Sequence, residues 1–82
     1  MEKPTITFTI TKPLAVLYEN DKGYTKEVNM ISWNGADAKL DIRQWAPNHA
    51  KSLKGMTFTE DEGRKLMEAL VQLYAELDAE AK

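Results

Sequence analysis

The stretch ISWNGADAKLDIRQWA, residues 31–46, combines a hairpin turn signal with a strand that has two chemically different faces. Asn34-Gly35 is a dipeptide that favours the tight turn of a β-hairpin. Side chains of a strand alternate between its two faces. The segment 38–46 therefore separates into an apolar set and a mostly charged set: Ala38, Leu40 and Ile42 against Lys39, Asp41, Arg43 and Trp45. The pattern predicts that the apolar set faces the core and that Trp45 points outward, away from it.

Two further strands are predicted before this hairpin strand. The segment TITFTIT, residues 5–11, alternates between threonines and apolar residues, which is typical of a half-buried strand. Pro13 interrupts the ladder, so the sequence up to residue 19 is either the same strand after a bend or a second piece on a sheet edge. NDKG at 20–23 predicts a turn with Gly23 at positive φ, and a strand follows at 24–33.

The C-terminal third predicts a loop, a short strand and a helix. After a loop at 48–55, the apolar MTF indicates a fourth strand at 56–58. Thr59 and Glu62 match a capping box, so a helix is expected from 60 to about 79. Its apolar residues fill an arc of roughly 160°, one side of which can cover the concave face of a small sheet. Because the arc is wider than one sheet contact requires, we expect the remainder to pair with the same helix of a second chain.

Length and composition predict a single domain, residues 1–82, of the α+β class. The absence of cysteine fits a reducing compartment, and no apolar run reaches about 18 residues. The sequence therefore predicts a cytoplasmic protein without a membrane segment. The formal net charge is −2, but residues 38–59 carry four Lys/Arg against Asp41 alone, so the surroundings of the second tryptophan are locally basic.

Catalysis is not expected from this inventory of side chains. His49 is the only histidine and falls in a predicted loop, where a solvent-exposed or phosphate-contacting role is expected. The glycines are scattered and form no phosphate-binding loop. We expect no catalytic residue, no metal site and no cofactor. Aromatic residues interleaved with basic ones are instead typical of a surface for single-stranded nucleic acid, since unpaired bases stack on exposed rings. Single-stranded RNA and an aromatic peptide-binding surface remain as alternatives.

The segment NMISWNGADAKLDIRQWAPNHAKSLKGMTFTEDEGRKLMEAL resembles the bacterial YdbC-like branch of the positive cofactor 4 family of transcriptional coactivators. The resemblance runs from about Tyr24 to Leu73, and WNG, DIRQW and KGMTFT carry it. The turn GADAK departs from the more proline- and arginine-rich turn of the bacterial relatives. The family implies a curved four-stranded antiparallel sheet followed by one C-terminal helix, and a homodimer formed largely through the helices.

The resemblance also implies a function and a set of contacts. Members of the family bind single-stranded DNA with little sequence preference and act with the transcription machinery. Carried over by motif, Trp33 and Trp45 would stack bases, and Arg43 and Lys54 would contact phosphates. Lys39 and Lys26 join them from strand phase and neighbourhood.

Overall fold

The protein folds as a four-stranded antiparallel sheet followed by one helix, in a computed structural model that describes residues 6–81. The strands lie in chain order, each paired with the next. The elements are β1 (Phe8–Glu19), β2 (Thr25–Trp33), β3 (Lys39–Trp45), β4 (Ser52–Phe58) and α1 (Glu60–Glu80), with a short irregular turn at Pro47–His49 between β3 and β4. The predicted α+β fold, with four antiparallel strands and one C-terminal helix, is confirmed.

Two strands differ from the expected segments. β1 is one continuous strand through Pro13, although its register with β2 shifts at three points. Its predicted start at Thr5 lies outside the described residues. The loop predicted at 48–55 is wrong in its second half, because β4 already begins at Ser52 and its Gly55 pairs with Arg43.

The two glycine turns form as the sequence predicts. Gly23 has φ of +91°, in the region that glycine adopts without a steric penalty. Asn34 and Gly35 both have positive φ, and the Ala36 amide donates to the Trp33 carbonyl at 3.0 Å. Positive φ at both central residues is typical of a type I′ turn, which here begins the connection between the end of β2 and the start of β3 at Lys39.

The sheet curls strongly toward one of its faces. Trp45 lies opposite Thr25 in the register of β2 and β3, and Trp33 lies eight residues further along β2. On a flat sheet that interval would separate the two tryptophans by about 26 Å. Their ring centroids are nevertheless 6.4 Å apart. We call the face on which they meet the concave face, and the opposite face the convex face.

The concave face holds the buried core of the chain. Ile31 and Trp45 are completely buried there, and so are three polar residues, Glu27, Asn29 and Asp41. Strand alternation separates the two faces as predicted, but the expectation about which face is buried is wrong. Asp41, Arg43 and Trp45 line the interior of the curl, and Lys39, in the same strand phase, is exposed at the end of β3. Leu40 and Ile42 on the convex face remain half-exposed.

The helix begins at a complete capping box and meets the sheet only near that end. The Glu62 amide donates to Thr59 Oγ1 at 3.2 Å, and the Thr59 amide donates to Glu62 Oε1 at 2.8 Å. Gly63 packs against Leu40, a residue of the convex face. The expectation that the helix covers the concave face is therefore wrong. The concave interior is already filled by its own side chains.

Most of the apolar arc of α1 is exposed in the single chain. The exposed members are Met67, Leu70, Val71, Leu73, Tyr74 and Leu77. The Cα radius of gyration is 15.6 Å, against about 12 Å for a compact chain of this length. The C-terminal part of α1 therefore projects away from the sheet. Over residues 6–81, no helix is long and apolar enough to cross a membrane.

Candidate nucleic-acid interface

Four rings, from three strands and the turn after β3, meet on the concave face. Phe8 opens β1, Trp33 ends β2, Trp45 ends β3 and His49 closes the turn after β3; we call these four residues the aromatic cluster. The rings of the two tryptophans are nearly parallel, 3° apart, and Phe8 is tilted against both. The His49 ring lies 4.7 Å from that of Trp45. The curl of the sheet thus brings together side chains that are far apart along the strands.

The members of the aromatic cluster differ in exposure. Phe8 and Trp33 are partly exposed, whereas Trp45 is fully buried. The expectation that Trp45 points outward is therefore wrong. Its indole N–H is also buried and has no hydrogen-bond partner among residues 6–81. Of the three carbon rings of the cluster, Phe8 and Trp33 are therefore the two that reach solvent.

A buried carboxylate fixes the side chains beside the aromatic cluster. Asp41 accepts two hydrogen bonds from the Arg43 guanidinium, at 2.7 and 2.8 Å. It also accepts one from the Trp33 indole N–H at 3.3 Å and one from the Thr57 hydroxyl at 3.1 Å. A two-pronged contact between Arg and a carboxylate fixes the orientation of both groups. Asp41 therefore holds Trp33 and Arg43 in one arrangement.

The Arg43 side chain is more buried than is usual for an arginine that contacts phosphate at a protein surface. Its side chain is 14% exposed, and it donates a third hydrogen bond, at 3.0 Å, to the Leu53 carbonyl. Its guanidinium carbon lies 4.7 Å from the centre of the Trp33 ring, in the range of a cation–π contact. The charge of Arg43 is thus balanced by Asp41, and its planar group supports the Trp33 ring.

A glycine makes room for this arginine. Gly55 lies opposite Arg43 in the register of β3 and β4. A Cβ at position 55 would lie 2.0 Å from the Arg43 Cβ and 2.6 Å from the Ile42 carbonyl oxygen. These positions overlap, so only a residue without a side chain fits. The glycine of the Lys-Gly pair in the sequence motif is therefore required because a side chain at position 55 would overlap β3.

The second buried acid of the concave face is Glu27. It accepts hydrogen bonds from Thr25 at 2.6 Å and from Asn29 at 3.2 Å, and the His49 Nε2 lies 2.8 and 2.9 Å from its two oxygens. Burial alone would raise the pKa of Glu27, but the hydrogen bonds from Thr25, His49 and Asn29, with the charge of His49, lower the pKa overall. His49 is thus anchored to Glu27 over Trp45 while its side chain stays 39% exposed, and its expected contact with phosphate stays a prediction.

The three predicted lysines do not all lie beside the tryptophans. Lys39 is exposed at the start of β3, in the strand phase of Asp41 and Arg43. Lys26 and Lys54 belong to the other phase and line a shallow groove of about 160 Å³ with Ile42 and Gln44. The six predicted site residues are therefore divided between the two faces of the sheet: Trp33, Trp45, Arg43 and Lys39 belong to the concave phase, and Lys26 and Lys54 to the convex phase.

Comparison with known proteins identifies the family of this sequence. The family described as Transcriptional Coactivator p15 (PC4) matches residues 20–69, which include β2, β3, β4 and the first half of α1. The chain belongs to the PC4 family. PC4 proteins are non-enzymatic and bind nucleic acid, and single-stranded DNA binding is known in the family. Trp33, Asp41, Arg43 and Gly55 all lie inside the matched segment, whereas Phe8 lies outside it.

One relative comes from Treponema pallidum (strain Nichols), where it is named an uncharacterized protein. It is 38% identical to this chain over 55 residues, which cover 67% of this chain and 65% of the relative. The chain thus spans slightly less than two thirds of that relative's length. The likeness adds no activity to the PC4 assignment.

Sequence reasoning missed two residues that the structure places at the centre of this site. Phe8 was expected only in the buried face of a strand, and Asp41 only as part of a charged outer face. An apolar residue in an alternating strand and a lone acid in a basic segment are ordinary in sequence. The spacing of Asp41 and Arg43, two apart on one strand face, does indicate an ion pair in the sequence, but the expected pair was an exposed one that contributes little.

Proposed function

We propose that this chain is a sequence-tolerant single-stranded DNA-binding protein that acts as a homodimer, as a transcription coactivator or as an accessory of replication or repair. We place it in the YdbC-like branch of the PC4 family and in the cytoplasm. The observation that carries the proposal is a partly exposed tryptophan, Trp33, held by Asp41 and Arg43 at the concave face of a PC4-family sheet.

In this proposal the two parts of the site do different work. Trp33 stacks an unpaired base. Trp45, the buried member of the aromatic cluster, packs against the accessible rings and keeps them in place. Arg43 supports the Trp33 ring and directs its remaining N–H donors toward phosphate. Lys39 neutralises a phosphate next to the aromatic cluster, and Lys26 and Lys54 neutralise phosphates where the strand passes to the convex face.

The exposed apolar arc of α1 supports the homodimer. Contiguous apolar surface of this kind marks an association site in a chain that folds in water. The arc continues from the convex face of the sheet, where Met56 is also exposed. A second copy of the chain, placed with its helix against this arc, would bury both arcs in one symmetric contact.

We expect Val71→Glu to convert the dimer into a monomer, because it places a charge on the exposed apolar arc, where Val71 is among the most exposed members. Gln72→Glu is the matched control, since it adds the same charge one residue away on the polar side of α1. Sedimentation at micromolar concentration measures the effect. Dimers for the wild type and the control, with a monomer for Val71→Glu, are expected. A wild type that sediments as a monomer would contradict the dimer.

Titration with a 20-nucleotide oligo-dT, followed by tryptophan fluorescence at several salt concentrations, tests the binding proposal. We expect salt-sensitive binding, with a slope of log affinity against log salt of about −0.7 for each phosphate neutralised. Duplex DNA of equal length is expected to bind weakly because its base faces are hidden. An oligo-rU of equal length shows whether RNA is preferred.

Lysine variants make this titration specific to the proposed groove. In the same titrations the double variant Lys26→Ala/Lys54→Ala is expected to make the slope shallower by about 1.4, which is two phosphate contacts. Lys22→Ala/Lys65→Ala removes the same charge from a turn and from the helix and is expected to leave the slope unchanged. Equal slopes for the two double variants would show that Lys26 and Lys54 do not contact phosphates, and the groove would then not belong to the binding site. An affinity that does not change with salt concentration would instead favour a peptide-binding surface.

A further inference from the structure

Phe8 is a partly exposed ring of the aromatic cluster. Its ring centroid lies 4.9 Å from that of Trp45 and 5.6 Å from that of Trp33. It is tilted by 49° and 48° against the two indoles, so neither contact is face to face. A tilted ring of this kind keeps a π-face that its neighbours do not stack on in parallel.

The position of Phe8 is fixed by the backbone around it. Phe8 pairs with Trp33 in the register of β1 and β2. Just before it, the Thr7 amide donates to the Asn34 side-chain oxygen at 2.9 Å, and the Asn34 amide donates to the Thr7 carbonyl at 2.8 Å. These reciprocal hydrogen bonds fasten the beginning of β1 to the hairpin turn that follows Trp33. Phe8 and Trp33 are therefore held side by side.

The burial of Trp45 leaves one tryptophan with an accessible ring, because Trp33 alone of the two is partly exposed. Phe8 is the other carbon ring of the cluster that reaches solvent. We propose that Phe8 is a base-stacking residue, so that Phe8 and Trp33 receive neighbouring bases of one strand while Trp45 supports both rings from below. The inference rests on the proposed function and extends it to a residue outside the segment matched by the PC4 family.

The test is a comparison of the chain's two phenylalanines. Phe8→Leu keeps an apolar side chain but removes the ring, and Phe58→Leu makes the same change in a half-buried residue of the convex phase. Loss of one stacked base is expected to weaken oligo-dT binding about tenfold. Phe58→Leu is expected to leave the affinity unchanged. Phe8→Tyr keeps an aromatic face and is expected to bind as the wild type does.

An oligomer of abasic sites separates stacking from a purely structural effect. It keeps the phosphates and lacks the bases, so Phe8→Leu and the wild type are expected to bind it equally. A tenfold loss on the abasic oligomer as well would show that the substitution disturbs the fold, and would overturn the inference. So would a folded Phe8→Tyr variant that binds as weakly as Phe8→Leu.

Two further results are distinguishable. Tighter oligo-dT binding by Phe8→Leu would mean that Phe8 covers the cluster and competes with bases, which overturns the inference. Unchanged binding by Phe8→Leu, with normal salt-sensitive binding by the wild type, overturns the role of Phe8 alone. A wild type that binds no oligo-dT at all overturns the proposed function itself, and the inference with it.

Discussion

Replacing Gly55 with alanine is expected to lower the free energy of unfolding by about 3 kcal/mol, the upper range for forcing extra volume into a packed site. The added Cβ would lie 2.0 Å from the Arg43 Cβ and 2.7 Å from its Cα. The obstructing atoms belong to the backbone of β3 or directly adjoin it, so no side-chain rotation relieves the overlap. β4 has to move away from β3, which breaks the ladder around Arg43. Denaturant unfolding at fixed protein concentration measures the loss.

Gly35→Ala is the control for this prediction. Gly35 has φ of +78°, and an added Cβ there meets nothing within 4 Å. Its cost is therefore conformational alone, about 1 kcal/mol. If the two alanine variants lose the same stability, the steric account of Gly55 is wrong. A Gly55→Ala variant that fails to fold, beside a folded Gly35→Ala variant, agrees with it.

Asp41→Ala is expected to be the second severe change, with a loss of about 3 to 5 kcal/mol, as for breaking a buried ion pair by removing one partner. The substitution leaves the Arg43 guanidinium without its carboxylate in a site where the arginine is 14% exposed. It also leaves the Trp33 N–H and the Thr57 hydroxyl without the acceptor that they share. Unfolding at fixed protein concentration is again the measurement.

The double variant Asp41→Ala/Arg43→Met tests the cause of that loss. If the unpaired charge is responsible, removal of the arginine restores a large part of the lost stability, because an apolar pair can replace a buried ion pair. Asp37→Ala, in the exposed hairpin turn, controls for loss of an acid and is expected to change little. A single Asp41→Ala variant that loses less than about 1 kcal/mol would contradict the role assigned to Asp41.

The elements of the fold were largely predictable, because each has a local cause. Thr59 and Glu62 mark the helix start through their own hydrogen bonds, and Asn34-Gly35 marks the hairpin through its backbone preferences. The two side-chain phases of β3 followed from alternation alone. The start of β4 did not, since Ser52–Gly55 carries no alternating pattern and is a strand only through its pairing with β3.

The direction of the curl was not predictable, and errors about the site follow from it. Alternation shows which residues share a face, but the bend that closes one face depends on contacts between distant residues. Trp45 has the sequence setting of an exposed aromatic and becomes buried because Phe8, Trp33 and His49 converge on it. Asp41 is buried for the same reason, and it is tolerated there because four donated hydrogen bonds compensate its desolvation. The binding roles of Trp33, Trp45, Arg43 and the lysines stay predictions until DNA is titrated.

The irregular pairing of β1 makes this outer strand a poor template for fibrous aggregation. An open four-stranded sheet exposes the hydrogen-bonding groups of its two outer strands, and β1 also exposes Leu14, Val16 and Leu17. A straight outer strand with such side chains would be a template for another strand. Pro13 has no amide hydrogen to donate, and the three register shifts bend the ladder out of line. β1 therefore lacks a long regular row of hydrogen-bond donors and acceptors. Its apolar side chains stay exposed, but a strand of another chain cannot easily pair along it.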